Sequence, residues 1–446
     1  MKKSLFRPFL LAACVIAGLL LLGLLPEWGL GEWRAKPVDL LSSLRNDAPG
    51  DTIAEQPVIA VESDSCRPGV TCIADYAADT AENMAYFYGA LNEAAARPVR
   101  IAFIGDSFIE ADILTNALRD LLQERYGGCG VGYVTIDHVA RTARHTIHQR
   151  TTGFEMHSAV DKHYEASLPD LSGYYFLPQT GAAVELSGNA EYSPRLARAD
   201  VSQFLFDTRG GHASFTVSTD GGAVQRLTAE ARTGLQCLTL EAPMQRVRWA
   251  MEGGGSTVCY GLTMDGRTGV ALDNLSLRGS TGLTIPAIPA ERLVRLDALR
   301  HYDLVVMLYG LNVMARGKRD YTAYGVQVEC MISHLRQAMP HTAFLVMGIA
   351  DRCGKLPNGS IGTLPEVVPL IEAQAAAAAK AGVAFWNTYE AMGGKDAMAQ
   401  FANATPPLAA RDYTHISEEG GQRIAHWLFN ALVWGHELYN MKQHQP

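Results

Sequence analysis

The stretch that decides the fold runs from residue 100 to residue 110 and reads Arg100-Ile101-Ala102-Phe103-Ile104-Gly105-Asp106-Ser107-Phe108-Ile109-Glu110. Its apolar residues 101–104 predict a buried strand of a parallel sheet. Gly105 permits a sharp turn, and apolar residues at spacings of three and four from Ile109 to Leu122 predict a helix. Ser107 is therefore expected at the carboxyl edge of an open sheet and near a helix N-terminus, where ligands bind. The alternative is that Asp106 and Ser107 only cap the helix.

Length and charge limit the function classes. The 446 residues predict about two to three domains. Hydrophobic residues make up 48% of the chain, which is enough for a large core. The net charge is −8, from 38 Lys and Arg against 46 Asp and Glu, so nothing in the composition indicates nucleic acid as a partner.

The N-terminal 25 residues carry a membrane signal. Lys2, Lys3 and Arg7 precede an apolar run over 8–25, which is within the length range of a membrane span. The positive flank places the N-terminus in the cytoplasm. We predict an uncleaved anchor over 1–25, with a cleaved signal peptide or a lipoprotein cleavage box at 11–14 as alternatives. The body of the chain is then expected in the periplasm, facing the cell envelope.

The cysteines fit an oxidising compartment. Besides Cys14, seven remain, and because seven is odd at least one is free. Cys66 and Cys72 can close a short loop, and Cys237 with Cys259 is a second plausible pair. No cysteine or histidine cluster has the spacing of a metal site, so no metal is expected.

The chain divides into five predicted segments. After the anchor, residues 26–96 form a linker rich in Pro, Gly, Asp and Ser and a leading helix over 81–96. Residues 97–139 are the first part of an α/β domain. Short alternating runs separated by glycine turns over 140–267 predict an inserted β-sandwich. The second part of the α/β domain covers 268–446, where strands alternate with helices, as in a parallel sheet with helices on both faces.

The aromatic residues and the histidines of the inserted segment can each be interpreted in two ways, as ligand-binding residues or as ordinary structural ones. Trp249 and Tyr174-Tyr175-Phe176 can stack on sugar rings, but aromatics in alternating strands more often belong to a core. His145 and His148 lie in a polar stretch with no partner cluster, which favours a surface position over metal binding.

Two further residues follow predicted strands of the second part. Asn312 comes directly after the strand predicted over 302–309, and its carboxamide can donate to an oxyanion. Gly279 lies just after the strand predicted over 269–275 and can offer a backbone N–H. Taken singly, each is equally well explained as an ordinary turn residue.

A histidine with an aspartate three residues before it precedes the last predicted helix. Asp412 can hold one ring nitrogen of His415 and leave the other for a serine hydroxyl. The alternative is a helix-entry cap with an exposed histidine. A nucleophile, a base, its orienting carboxylate and two donors therefore all fall at strand ends or helix starts.

These residues form four short blocks that resemble, in order, those of the SGNH (GDSL-type) hydrolases: Gly105-Asp106-Ser107, Gly279, Gly310-Leu311-Asn312 and Asp412-Tyr413-Thr414-His415. The residues after Ser107, Glu110-Ala111-Asp112 and then 127–133, look like those of the peptidoglycan O-acetylesterases of Gram-negative bacteria. Those enzymes also carry a carbohydrate-binding-like β-sandwich between the first and second blocks. The resemblance covers about residues 97–435.

The resemblance implies a three-layer α/β/α domain and assigns roles to five residues. Ser107 would be the nucleophile, His415 the base and Asp412 the residue that orients the base. The oxyanion hole would consist of the Ser107 amide, the Gly279 amide and the Asn312 side chain.

The resemblance leaves the second amide open and has one departure at the residue after the serine. Gly282 and Gly130 are alternatives to Gly279 as the source of the second amide. Many relatives have histidine directly after the serine, whereas this chain has Phe108, so the neighbouring substrate pocket can differ.

The function that follows is a membrane-anchored serine esterase that removes O-acetyl groups from a cell-wall or envelope glycan and needs no cofactor. An O-acetyltransferase would use the same Ser/His/Asp site, with a sugar hydroxyl in place of water. A non-catalytic glycan-binding or assembly protein is the alternative of a different class.

Overall fold

The computed structural model describes residues 28–30, 33–35, 66–79 and 81–444. The predicted anchor over 1–25 lies outside these residues. No helix in the described part is long and apolar enough to cross a membrane. Contacts divide the chain into two units, residues 1–62 and 63–446. In the first unit, strands β1 (Trp28–Leu30) and β2 (Trp33–Ala35) pair antiparallel.

The second unit contains a six-stranded sheet, of which five strands are parallel. Its order is β14-β4-β15-β16-β19-β3, and the short edge strand β3 runs antiparallel to β19. The strands are β3 (Ala74–Asp75), β4 (Pro98–Gly105), β14 (Gly269–Ser276), β15 (Tyr302–Leu308), β16 (Ala343–Met347) and β19 (Ala384–Trp386). The parallel sheet that the buried apolar runs predicted is confirmed. Because β3 joins its edge, part of the segment interpreted as a linker extends the sheet.

Helices cover both faces of this sheet. The described helices are α1 (Met84–Asn92), α2 (Thr115–Tyr126), α3 (Ala290–Arg300), α4 (Thr322–Ala338), α5 (Val367–Ala381), α6 (Thr388–Ala391), α7 (Ala397–Asn403) and α8 (Glu418–Gln443). Alternate residues of β4 enter different cores, as the two-residue period of a strand requires. Ile101 and Phe103 pack with α1, α2 and α8. Ala102 and Ile104 pack with α3, α4 and α5, so the architecture has three layers.

An antiparallel sheet of nine strands interrupts this domain in the chain, between β4 and β14. Its order is β10-β9-β12-β7-β13-β8-β11, with β5 on β13 and β6 on β7. The strands are β5 (Gly132–Thr135), β6 (Ile147–Ser158), β7 (Tyr174–Gly188), β8 (Ala199–Asp207), β9 (Ala213–Thr219), β10 (Gln225–Ala229), β11 (Gln236–Met244), β12 (Arg246–Gly253) and β13 (Val258–Met264). The predicted antiparallel insertion is therefore present, and β5 extends its sheet to Gly132. A small hairpin, β17 (Cys353–Lys355) and β18 (Ile361–Thr363), follows β16.

The aromatic residues of the antiparallel sheet belong to its core. Trp249 is 1% exposed and donates from Nε1 to Ser202 Oγ at 3.0 Å. Its ring lies beside Phe204. Residues 174–176 are also buried, so these side chains support the core interpretation rather than sugar stacking.

One of the two expected cysteine pairs forms. Cys66 and Cys72 are bonded. Cys237 and Cys259 are both free thiols, which makes the second pairing wrong. The reason is topological, because Cys237 lies on β11 and Cys259 on β13 and strand β8 runs between them.

Candidate active site

The register of the parallel sheet brings three strand ends together. Gly105, the last residue of β4, is paired with Ser276 of β14 on one side and Leu308 of β15 on the other. The chain leaves all three strands at the same edge, the carboxyl edge of the sheet, where ligands of α/β proteins bind. The predicted site residues follow these ends by two, three and four positions: Ser107, Gly279 and Asn312.

Ser107 lies on a tight turn rather than at the start of the predicted helix. A 3-10 turn over Glu110–Asp112 follows it, and α2 begins only at Thr115. Ala111 and Asp112 have positive φ angles of 56° and 63°, which an α-helix does not allow. The expectation of a helix from Ile109 onward is therefore wrong by about two turns, and the serine does not lie at a helix N-terminus.

Ser107, His415 and Asp412 lie in a line of hydrogen-bonding distances. Ser107 Oγ is 3.4 Å from His415 Nε2, and His415 Nδ1 is 2.7 Å from Asp412 Oδ2. The first distance is long for a hydrogen bond, and such contacts commonly shorten when substrate binds. The structure thus brings Ser107 to Asp412 and His415, which follow it in the sequence by 305 and 308 positions.

The aspartate is held by more than the histidine ring. Asp412 Oδ1 also accepts from the backbone N–H groups of Thr414 at 3.0 Å and His415 at 3.1 Å. Burial by itself raises the pKa of Asp412, but these three hydrogen bonds lower it overall. Asp412 therefore stays a carboxylate that orients His415 and can stabilise its charged form. About half of each of these two side chains is exposed to solvent, so substrate can reach them.

Asn312 is tied to the turn that carries the serine. Its Nδ2 donates to Asp106 Oδ2 at 2.9 Å and to the Ser280 carbonyl at 3.0 Å. Asp106 is 2% exposed, and its other oxygen accepts from the Phe108 N–H at 2.9 Å. Burial raises the pKa of Asp106 to about 6. Asp106 therefore supports the turn and also fixes the direction of the Asn312 carboxamide.

The three candidate glycines differ in what their N–H groups bind. Gly130 donates to the Arg195 carbonyl and Gly282 to Ser280 Oγ. The Gly279 N–H, like that of Ser107, has no acceptor among the described residues. Gly279 has a φ of 78°, which favours glycine. These two free amides lie on loops that leave neighbouring strands, so both remain available for an oxyanion.

An ion pair that the sequence did not reveal joins the two amide-bearing loops. Glu110, three residues after Ser107, is 7% exposed, and both of its oxygens accept from Arg278, the residue before Gly279. The partners are 168 positions apart in the chain, and no local pattern signals their contact. The pair links the nucleophile turn to the Gly279 loop.

Two other sequence observations have a structural outcome. The Phe108 side chain is 2% exposed and packs in the core with α2 and α8. It therefore presents no polar group to the site. No group of three or more possible metal ligands occurs in the described part of the chain.

Comparison with known proteins supports the fold. No protein-family model matches the sequence, and no curated protein sequence matches it. A solved structure named as a peptidoglycan O-acetylesterase superposes with a TM-score of 0.68 at 21% identity, over 83% of this chain and 99% of that chain.

More distant matches are carbohydrate esterases. A family two enzyme from Cellvibrio japonicus has a TM-score of 0.27 and 9% identity, over 65% of this chain and 98% of that chain. A family 2 enzyme from Corynascus thermopiles has a TM-score of 0.29 and 14% identity, over 57% and 93%. At these scores they add nothing to the argument. The chain therefore has the fold of the peptidoglycan O-acetylesterase, and the resemblance found in its sequence motifs is confirmed at the level of the fold.

Proposed function

We propose that this protein is a serine esterase that removes O-acetyl groups from a cell-wall or envelope glycan. The observation that carries the proposal is the line from Ser107 Oγ through His415 to Asp412, at 3.4 and 2.7 Å. The fold shared with a peptidoglycan O-acetylesterase supports the substrate class. The division into an α/β domain with a separate β domain over 140–267 is part of the same proposal.

The reaction proceeds in two halves. In the first, Ser107 Oγ attacks the acetyl carbonyl carbon while its proton passes to His415 Nε2. The tetrahedral intermediate collapses, and the sugar oxygen leaves with the proton from His415. In the second, His415 takes a proton from water as the water oxygen attacks the carbonyl carbon of the acetyl-serine. The second tetrahedral intermediate collapses, the bond to Ser107 Oγ breaks, His415 returns the proton to Oγ, and acetate is released. Asp412 keeps Nδ1 protonated throughout, so that Nε2 can act as the base.

Three groups can donate hydrogen bonds to the acetyl oxygen, which becomes negatively charged in the tetrahedral intermediate. The Ser107 and Gly279 amides are free in the described part of the chain. Asn312 is exposed, but both of its amide hydrogens already have acceptors. Its contribution therefore requires one hydrogen to be shared between an existing acceptor and the oxyanion, and the oxyanion is the stronger acceptor.

The proposed site of action is the cell envelope. In this proposal, residues 1–25 anchor the chain in the inner membrane and the catalytic domain faces the periplasm, where an acetylated wall glycan is accessible. The carboxyl edge of the parallel sheet provides the ester-cleaving groups, and no cofactor takes part in the chemistry.

The test is acetate release from acetylated cell-wall glycan by the purified protein. Ser107→Ala should lower kcat by several orders of magnitude, because the nucleophile is lost. Ser256→Ala is the matched control, since Ser256 is an exposed turn residue between β12 and β13. Full acetate release by a folded Ser107→Ala protein would rule out the serine mechanism.

The same assay separates hydrolysis from transfer. With an acceptor sugar present, an esterase should release as much acetate as without it. Appearance of the acetyl group on the acceptor in place of free acetate would identify the transferase alternative.

A further inference from the structure

A surface cavity of about 310 Å³ is lined by Asn189 and by residues of 141–149, a segment whose Arg144 contacts Asp112 in the turn after Ser107. Its polar lining is rich in nitrogen groups, and none of the described side chains that line it is acidic. The residues that matter for what it can bind are Arg141, Arg144, His145, His148, Gln149 and Asn189. An opening of this size and composition accepts an anionic group of a larger molecule.

Arg144, one of the two arginines that line this cavity, has unused hydrogen-bond donors. Arg144 is 11% exposed, and its Nε donates to Asp112 Oδ2 at 2.9 Å. Its Nη1 and Nη2 groups donate to no atom in the described part of the chain, although Nη2 is buried. A buried donor without an acceptor costs about 1–3 kcal/mol. Nη1 is not enclosed, so a ligand oxygen in the cavity can accept from it.

The charge around Arg144 is not balanced. Asp112 is fully enclosed and is shared with a second guanidinium, that of Arg119, at 3.2 Å. Asp112 therefore faces two arginines, and Asp273, another acid that acts on Arg144, is already bonded to Arg300. Burial, together with repulsion from Arg119, lowers the pKa of Arg144 even though Asp112 opposes the shift. Arginine nevertheless remains protonated in proteins, so the excess positive charge persists.

The nearby acid is already engaged. Arg141, at the rim, is paired with Asp137 at 3.1 Å, and both side chains are about one-third exposed. Gln149 donates to two backbone carbonyls, those of Thr135 and Ile136. Asp137 is therefore already paired with Arg141, and Gln149 carries no charge, so neither Asp137 nor Gln149 neutralises Arg144.

The cavity is connected to the catalytic residues through two elements. Asp112 follows Ser107 by five residues, so their backbones can be at most about 18 Å apart. On the other side, His145 stacks on Tyr192, whose hydroxyl donates to Glu418 at 2.9 Å. Glu418 begins the helix that follows His415. The proposal places the ester of a glycan of a few rings at Ser107 and another part of the same glycan in the cavity.

We infer that this cavity binds a carboxylate carried by the acetylated glycan, with the Arg144 guanidinium as its principal partner. The inference rests on the proposed function for the identity of the ligand. The Nη1 group of Arg144 belongs to a charged guanidinium and can donate to a carboxylate oxygen. A phosphate offers similar oxygens, so the experiment must distinguish a wall fragment from a free anion.

Binding can be measured without turnover. The full-length Ser107→Ala protein is titrated calorimetrically with three probes: a muropeptide that bears free carboxylates, the same muropeptide with its carboxylates converted to methylamides, and inorganic phosphate. The free muropeptide should bind about tenfold more tightly than the capped one, which corresponds to about 1.4 kcal/mol.

Two variants in the Ser107→Ala background locate the preference. Arg144→Gln should abolish it, but this change also breaks the contact with Asp112, so its melting temperature is measured as well. His148→Glu should abolish the preference by placing a negative charge at the mouth. His148 is an exposed residue of β6, so this change leaves the buried network in place. Arg226→Gln, on the exposed strand β10, is the control and should keep the preference.

Three results would overturn the inference: equal binding of the free and capped muropeptides, a preference that survives both cavity variants, or phosphate binding as tight as that of the free muropeptide. Acetate release by the protein with Ser107 intact is scored separately. If acetate release fails while the carboxylate preference holds, the proposed esterase function is wrong and the cavity assignment stands.

Discussion

Replacing Asn312 by aspartate reverses the hydrogen-bonding character of one side chain without changing its size. In the present structure, the Asn312 carboxamide donates to Asp106 Oδ2 and to the Ser280 carbonyl, at 2.9 and 3.0 Å. In Asn312→Asp an acceptor faces both of these acceptors. If Asn312 is also an oxyanion donor, the variant places negative charge where the oxyanion must form.

The expected cost can be worked out from these contacts. The bond to the Asp106 carboxylate contributes about 1.5–3 kcal/mol and the bond to the neutral carbonyl about 0.5–1.5 kcal/mol. Two unit charges 4 Å apart near a protein surface repel by about 4 kcal/mol. The carboxyl groups at positions 106 and 312 can reduce this repulsion by sharing a proton. The free energy of unfolding is therefore expected to fall by about 4 kcal/mol in total. Since folded domains are stable by about 5–15 kcal/mol, this loss is easily measured.

The loss should depend on pH in a defined direction. Burial already raises the pKa of Asp106 from 3.8 to about 6, and a second carboxylate raises it further. The folded variant then holds a proton that the unfolded chain releases at lower pH. Its stability is greatest below about pH 4 and falls as the pH rises through 6 and beyond.

Three variants measured together separate the two roles of Asn312. Asn312→Ala removes the donor without adding charge and should lower kcat by about 100- to 1000-fold, the usual effect of losing one oxyanion donor. The exchange of both residues, Asp106→Asn with Asn312→Asp, restores a donor opposite an acceptor. It should recover part of the lost stability, as a double-mutant cycle can quantify. It should not recover kcat, because position 312 still lacks a donor.

Melting temperature, kcat and KM for an aryl acetate provide the assay. If the folded fraction of Asn312→Ala and Asn312→Asp turns over at the normal rate, Asn312 only ties two loops together. Recovery of kcat in the exchanged protein would refute the oxyanion role in the same way. Either result would remove Asn312 from the site and weaken the assignment of the other donors.

Three other predictions concern the neighbouring groups. Asp412→Asn should lower kcat by about 10⁴-fold, because His415 loses the acceptor for Nδ1; normal turnover would exclude Asp412 as the residue that orients His415. Asp106→Asn should remove the fall in stability that its raised pKa causes between about pH 4 and 6; melting curves with an unchanged pH slope would contradict this. A fragment over 132–267 should melt cooperatively with a β-type circular dichroism spectrum, and one over 140–267, which lacks β5, should melt lower; two disordered fragments would exclude an independent β domain.

Much of the site could be predicted because its signals are local. A run of apolar residues such as 101–104 predicts a buried strand by itself, and in a parallel sheet the residues after such strands meet at one edge. Asp412 and His415 are three residues apart, within the span of a single turn. Their contact follows from short-range geometry, so the sequence was sufficient to suggest it.

The parts that could not be predicted depend on contacts between distant segments. Asp106 meets Asn312 across 206 positions and Glu110 meets Arg278 across 168. Neither pair has a sequence pattern. The start of α2 was misplaced for the same reason, since the periodicity from Ile109 onward fits a helix and only tertiary contacts hold the turn open.

Some of those tertiary contacts tie the inserted region to the turn after Ser107. Asp112 holds a positive φ in the turn after Ser107, a conformation that non-glycine residues adopt only when their surroundings enforce it. Two of its partners, Arg144 and Thr146, come from the segment that leads into β6. The conformation of the nucleophile turn is thus fixed in part by the segment that enters the antiparallel sheet. A change in that segment is therefore expected to alter the position of Ser107 as well as the cavity proposed to bind a glycan carboxylate.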